Sequence, residues 1–231
     1  MADPAALKHF LSTVPPPMPI VYPGLLQDDD VDKIAAYLKL VLDQRASQGD
    51  QDAMAPAVYQ QPTSDGTPEW QAMYSVLTHP RCINCHTMTN YPRQDDDRHA
   101  HVFSVVRGAD DQGAPVARCK DCHGDENNPV TGIPGRSDWH VAPLSMAWET
   151  APGVPMTGAE LCAQLKDPTR NGGRDLAALQ HHNETEPLVL WGWDPGTRWD
   201  GTPRATPPIG FDEFVAASQR WIDAGAPCPA Q

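Results

Sequence analysis

Two short stretches decide how this chain folds: Cys82-Ile83-Asn84-Cys85-His86, the first motif, and Cys119-Lys120-Asp121-Cys122-His123, the second motif. Both read Cys-x-x-Cys-His, the sequence at which a c-type haem is attached. The two thiols of each motif can form thioethers with the vinyl groups of one porphyrin, and the following imidazole can then bind the iron as its proximal ligand. The motifs therefore predict two covalently attached haem c groups, with His86 and His123 as proximal iron ligands.

Two other kinds of site are built from paired cysteines, and the sequence disfavours both. A zinc ribbon also has two Cys-x-x-Cys pairs, but here 33 residues, 86–118, separate the pairs, which is long for a compact ribbon. A thioredoxin-like redox pair lies in a βαβ pattern, and the sequence has no such pattern. Neither alternative explains why a histidine follows each pair directly.

The composition limits the fold and the partners. The 231 residues include 17 basic and 30 acidic side chains, a formal charge of −13, which argues against a nucleic-acid partner because such a protein needs a basic face. No apolar run approaches the roughly 20 residues of a membrane-spanning helix. The 25 Pro and 17 Gly break the chain often. We therefore expect a mostly α fold with extensive loops, a multihaem cytochrome c built from short helices around two haems.

Helical signals are short and are separated by loops. Hydrophobic periodicity or capping residues predict helices over residues 30–44, 68–78, 157–165, 174–184 and 211–224. The second of these helices runs into the first motif, so its apolar face is expected to pack against the first haem. No stretch has the alternation of a strand. This organisation predicts a helical segment at 1–46, a linker at 47–67 and a di-haem domain at 68–231.

The distal ligands, which set the potential and reactivity of each haem, must come from other side chains. His140 is the leading candidate, since it lies in a loop 17 residues after His123, far enough to return over the opposite face of a haem. His101 and His99 face one way in an extended segment, and we expect one of them, with His101 favoured, to be a ligand.

Other candidates are weaker. His79 lies three residues before the first motif and could reach the second haem. Met146 competes as a ligand, although Met usually fills gaps in a core. His181 and His182 lie on a predicted polar helix and rank last.

The cysteines also indicate a cellular compartment. Because haem is attached covalently outside the cytoplasm, the motifs predict a periplasmic protein. Cys162 and Cys228 remain after the motifs are assigned, and in an oxidising compartment they could form a disulfide. The alternative is a pair of buried free thiols, and the disulfide is favoured.

The first 46 residues carry a different signal. Residues 18–26 and 28–38 resemble the C-terminal end of a class I cytochrome c domain, in which the loop methionine is a distal ligand; Met18 is its counterpart here. No Cys-x-x-Cys-His and no signal peptide precede Met18. Three interpretations stay open: a third haem and a signal peptide lie upstream of this sequence, which is favoured; Met18 binds a haem of another chain; or Met18 is an ordinary loop residue.

Residues 76–231 resemble a family of small di-haem c-type cytochromes that carries the label isoquinoline 1-oxidoreductase subunit. The resemblance lies in residues 79–86, 139–148, 166–168, 171–173 and 191–193. It implies a redox partner that accepts electrons from a dehydrogenase, rather than an enzyme that hydroxylates a heterocycle.

We therefore expect a periplasmic cytochrome that relays single electrons from a dehydrogenase or oxidoreductase to a downstream acceptor. The acidic chain is expected to attract redox partners with a basic docking patch. The alternative is an enzyme, a di-haem peroxidase or oxidase in which one haem keeps an open coordination position.

Overall fold

The computed structural model describes residues 3–13, 23–47 and 59–230, and the chain divides into two compact units, Met1–Met54 and Ala55–Gln231. The helices are α1 Pro4–Thr13, α2 Asp28–Ser47, α3 Pro68–Leu77, α4 Pro80–Ile83, α5 Gly158–Leu165, α6 Leu176–Thr185, α7 Pro187–Trp191 and α8 Phe211–Asp223. The strands form three short antiparallel hairpins: β1 Arg93–Gln94 with β2 His99–Ala100, β3 Gly113–Ala114 with β4 Ala117–Arg118, and β5 Glu149–Ala151 with β6 Val154–Pro155.

The smaller unit is a pair of helices, α1 and α2. Leu7 of α1 packs against Val31 and Ala35 of α2 in a small apolar cluster. The helix predicted over residues 30–44 is confirmed and extends over Asp28–Ser47, whereas α1 was not predicted. Met18 lies outside the described residues.

The core of the larger unit is formed where α3 packs on α8. Trp70, Met73, Tyr74 and Leu77 recur at i, i+3, i+4 and i+7, and all four are buried, as the periodicity of this helix predicts. The ring of Trp70 lies 5.6 Å from that of Trp221 on α8. Because α3 leads directly into α4, this packing fixes the position at which the first motif begins.

The remaining predicted helices are confirmed, with ends shifted by one or two residues. The capping box of Thr157 and Glu160 is present at the start of α5. No stretch of the sequence alternates like a strand, and the hairpins explain this, because their strands are two or three residues long, too short to display an alternating pattern. None of the helices in the described ranges is long and apolar enough to cross a membrane.

The predicted linker is partly folded. Residues 59–67 belong to the larger unit: the Tyr59 hydroxyl donates to the carbonyl of Thr78 at 2.8 Å, and Trp70 donates its ring N–H to Ser64 at 3.1 Å. The larger unit therefore begins before residue 68, and residues 48–58 lie outside the described part of the chain.

A disulfide joins Cys162 on α5 to Cys228 beyond the end of α8, with 5.5 Å between the Cα atoms. This is the pairing that the sequence favoured. Cys162 is fully buried, so the bond ties the C-terminal residues to the helical core.

The disulfide provides a test of this arrangement. Because it closes a loop with a sequence separation of 66 residues, Cys162→Ala, Cys228→Ala and the double variant are each expected to lose about 2–5 kcal/mol of unfolding free energy, measured by urea titration. A double variant that loses clearly more than either single variant would show that the side chains, rather than the bond, account for the effect.

Candidate functional site

Both motifs adopt the same backbone turn. The N–H of His86 donates to the carbonyl of Cys82 at 3.2 Å, and the N–H of His123 donates to the carbonyl of Cys119 at 2.9 Å. In each motif the two cysteines and the histidine therefore lie on one turn of chain. The first turn is built on α4 and the second on a short 3₁₀ helix over Cys119–Asp121.

The imidazole of each motif is held by one hydrogen bond to a distant carbonyl. Nδ1 of His86 lies 2.8 Å from the oxygen of Met146, and Nδ1 of His123 lies 2.6 Å from the oxygen of Pro134. A carbonyl only accepts, so each Nδ1 carries the proton and each Nε2 keeps its lone pair. Both histidines thus have the tautomer and orientation of a metal ligand that binds through Nε2.

A tryptophan stacks on each of these rings and fixes its plane. The ring centres of His86 and Trp148 are 3.5 Å apart, those of His123 and Trp139 are 4.4 Å apart, and both pairs are parallel to within 4°. Burial lowers the pKa of His86 to about 3 and that of His123 to about 4. Both rings are neutral near pH 7, which is the form that binds a metal.

A cavity of about 370 Å³ opens beside the first motif and is lined by Cys82, Cys85 and His86. The volume is typical of a cofactor site. Most of its wall is apolar and comes from α3, α6, α7 and the loops at 139–148 and 170–174; Trp191 and Trp193 are part of it. Burial raises the pKa of Cys82 to about 12 and that of Cys85 to about 11. The size, the apolar wall and the three motif side chains fit a porphyrin.

The second motif lies nearer the surface, with Cys119 buried and Cys122 exposed. Three large apolar side chains between the two motifs in the sequence are exposed: Val102 by 44 %, Phe103 by 91 % and Val116 by 73 %.

The two sites adjoin each other. The Cys119 thiol is close enough to Cys85 to contribute to the raised pKa of that side chain. Trp139, which stacks on His123, also lines the cavity of the first motif and meets Trp191 edge to face at 4.9 Å. One tryptophan therefore forms a wall common to both sites.

Two of the predicted distal ligands lie at these sites. The ring of His101 lies 5.9 Å from that of His123, at 72° to it, and its Nδ1 lies 2.7 Å from the oxygen of Val102, so Nε2 is the nitrogen left to bind a metal. His140 lines the cavity of the first motif, with Nδ1 2.6 Å from the oxygen of Asp138.

The weaker candidates are placed elsewhere. His79 caps α4, because its Nδ1 accepts from the backbone N–H of Arg81 at 3.3 Å, and its neutral ring then carries the proton on Nε2. His79 therefore has no ring nitrogen free to bind a metal. His99 keeps Nε2 free, because its Nδ1 lies 2.6 Å from Asp97, but its side chain is 39 % exposed.

Sequence reasoning ranked His182 last, but His182 lines the cavity of the first motif. Leu179, Asn183 and Glu186 line it as well, at the i, i+3, i+4 and i+7 positions of one helical face. This spacing is the sequence signal that could have placed His182 at the cavity. It was hard to detect because most residues of α6 are polar and show no apolar stripe.

A buried carboxylate supports the chain just after the first motif. Glu149, fully buried, accepts from the hydroxyl of Thr87 at 2.8 Å and from the N–H of Met88 at 2.9 Å, and it pairs with buried Arg98. These bonds hold residues 87 and 88, and through them the orientation of His86.

Comparisons of the chain with models of protein families, with curated proteins and with solved structures find no match. Among the residues that the structure describes, no three His, Cys, Asp or Glu side chains are grouped so as to hold a metal ion by themselves.

Replacing the buried carboxylate tests its supporting role. Glu149→Gln leaves the charge of Arg98 buried without its partner, so we expect a loss of about 3–5 kcal/mol of unfolding free energy in urea titration. Glu213→Gln is the control, because Glu213 pairs with Arg220 at 2.7 Å at the surface and such pairs contribute at most about 1 kcal/mol. Equal losses in the two variants would contradict the assigned role.

Proposed function

We propose that the chain is a periplasmic di-haem c-type cytochrome that relays single electrons from a dehydrogenase or another oxidoreductase to a downstream acceptor. The observation that carries the proposal is the repeated geometry of the two motifs: in each, a Cys-x-x-Cys-His turn holds two thiols beside an imidazole whose Nδ1 proton is bound by a carbonyl. Haem c bound in this way supplies an iron that gains and loses one electron.

The chain contributes attachment, ligands and surroundings. Cys82 and Cys85 would anchor one haem, and Cys119 and Cys122 the other. Apolar side chains and tryptophans would surround the haem of the first site, and the stacking of Trp148 on His86 would limit movement of that ligand. The contact of the two sites through Trp139 supports transfer between them.

At the second site, His123 and His101 would hold the haem iron. Two imidazoles that bind one metal ion from opposite sides have ring centres about 6 Å apart, because each metal–nitrogen bond is about 2 Å and each ring centre lies about 1 Å further on. His101 and His123 are 5.9 Å apart, and each has Nε2 free. A six-coordinate haem of this kind favours electron transfer over the binding of a small substrate.

The charge and composition support the proposed partners and location. A formal charge of −13 favours docking of a redox partner through a basic patch. The disulfide between Cys162 and Cys228 suits an oxidising compartment such as the periplasm.

The deciding experiment is the haem content of the full chain expressed with periplasmic export and haem maturation. We expect a denatured mass two haems above that of the polypeptide, since thioethers survive denaturation. A variant with Cys82→Ala and Cys85→Ala should retain one haem, and Cys162→Ala, the control for loss of a cysteine, should retain both. Protein that matures without covalently bound haem would refute the proposal, and bound zinc would favour the ribbon.

The axial pair of the second site gives a further expected outcome. His101→Ala should convert one haem from low-spin to high-spin in the ferric visible spectrum and allow it to bind carbon monoxide when reduced. His99→Ala is the matched control and should leave the spectrum unchanged, because His99 pairs with Asp97 at the surface. A spectrum unaffected by His101→Ala would exclude this ligand, and a high-spin haem in the unaltered protein would favour the peroxidase or oxidase.

A further inference from the structure

The cavity of the first motif contains two imidazoles besides that of His86, namely those of His140 and His182. Resting on the proposed function, we infer that His182 is the distal iron ligand of the first haem. The first site, like the second as proposed, would then be closed by two histidines.

The position of His182 on α6 directs it into the cavity. Leu179, Asn183 and Glu186 occupy the same helical face and also line the cavity, while neighbouring His181 is exposed. Leu179 and Asn183 are buried, so this face of the helix is anchored in the core. A ligand on such a helix is held on a rigid element, as a redox site requires.

A carboxylate lies near the ring of His182. Its Nδ1 is 3.6 Å from an oxygen of Glu186, the residue after the end of α6, which is longer than a hydrogen bond. Burial lowers the pKa of His182 to about 4, so the ring is neutral near pH 7.

His140 is less suited to this role. It also keeps Nε2 free, because its Nδ1 is bound to the carbonyl of Asp138. The preceding residue, Trp139, is held against His123 of the second site. The His140 side chain is 31 % exposed against 21 % for His182, which is carried on a helix.

The two methionines of the cavity are less suited. Met146 accepts the Nδ1 proton of His86 with its carbonyl, so its backbone lies on the side of that ring away from Nε2. Met73 is fully buried on α3, in the core formed with α8. Of the two other imidazoles in the cavity, that of His182 is the less exposed and the one carried on a helix.

The test is a comparison of ferric and carbon monoxide-treated ferrous spectra of the mature, full chain. His182→Ala should make one of the two haems high-spin and able to bind carbon monoxide, and added imidazole should restore the low-spin spectrum. His181→Ala, on the next residue of the same helix, and His140→Ala should both keep two low-spin haems. In the double variant with His101→Ala and His182→Ala, both haems should be high-spin.

The results that would overturn the inference differ from those that would overturn the proposed function. Two low-spin haems in His182→Ala, or conversion by His140→Ala instead, would overturn the inference while leaving the proposed function intact. If His182→Ala does not mature, His182→Met provides the second measurement: a low-spin haem with a raised reduction potential supports the inference, and an unchanged potential overturns it. Absence of covalent haem from the unaltered chain would be a failure of the proposed function instead.

Discussion

The hydrogen bond from Nδ1 of each motif histidine to a main-chain carbonyl is the constraint on which the geometry of both sites depends. The acceptors lie outside the α-helices: Met146 ends a 3₁₀ helix over Leu144–Met146, and Pro134 lies in a loop. Because these segments must reach the motif rings, their paths are fixed, and they bring Trp148 and Trp139 into contact with the rings. A few specific contacts with the motif histidines thus fix the paths of these segments.

The helical core holds the first motif in position for these contacts. The packing of α3 on α8 fixes the start of the first motif, and the disulfide between Cys162 and Cys228 secures the chain beyond α8. Glu149 fixes the chain on the other side of the first motif, since it accepts hydrogen bonds from the two residues after His86. The first site is therefore supported from both directions along the chain, which suits a centre whose ligands should move little when its charge changes.

The parts of the fold that depend on local chemistry could be predicted from the sequence. The apolar spacing of Trp70, Met73 and Tyr74 identified α3, and the cap at Thr157 identified the start of α5. The strands could not be predicted, since residues such as Arg93 and Gln94 pair over too short a span to produce a pattern. The motif histidines were evident because their signal is contiguous.

Surroundings built from distant residues were harder to predict. The contact of His86 with the Met146 carbonyl joins residues 60 positions apart, and no local pattern encodes it. The surroundings of the histidines could not be predicted for a related reason: His182 lines the cavity and His79 caps α4, and only the folded chain determines which way each side chain points.

Trp139 has a consequence for how the two sites can vary. One face of its ring meets His123, while the residue also lines the cavity of the first motif. A substitution there alters the packing and polarity around two centres at once, so neither centre can be tuned independently through this residue. For the two haems proposed, a substitution at Trp139 is therefore expected to shift both midpoint potentials.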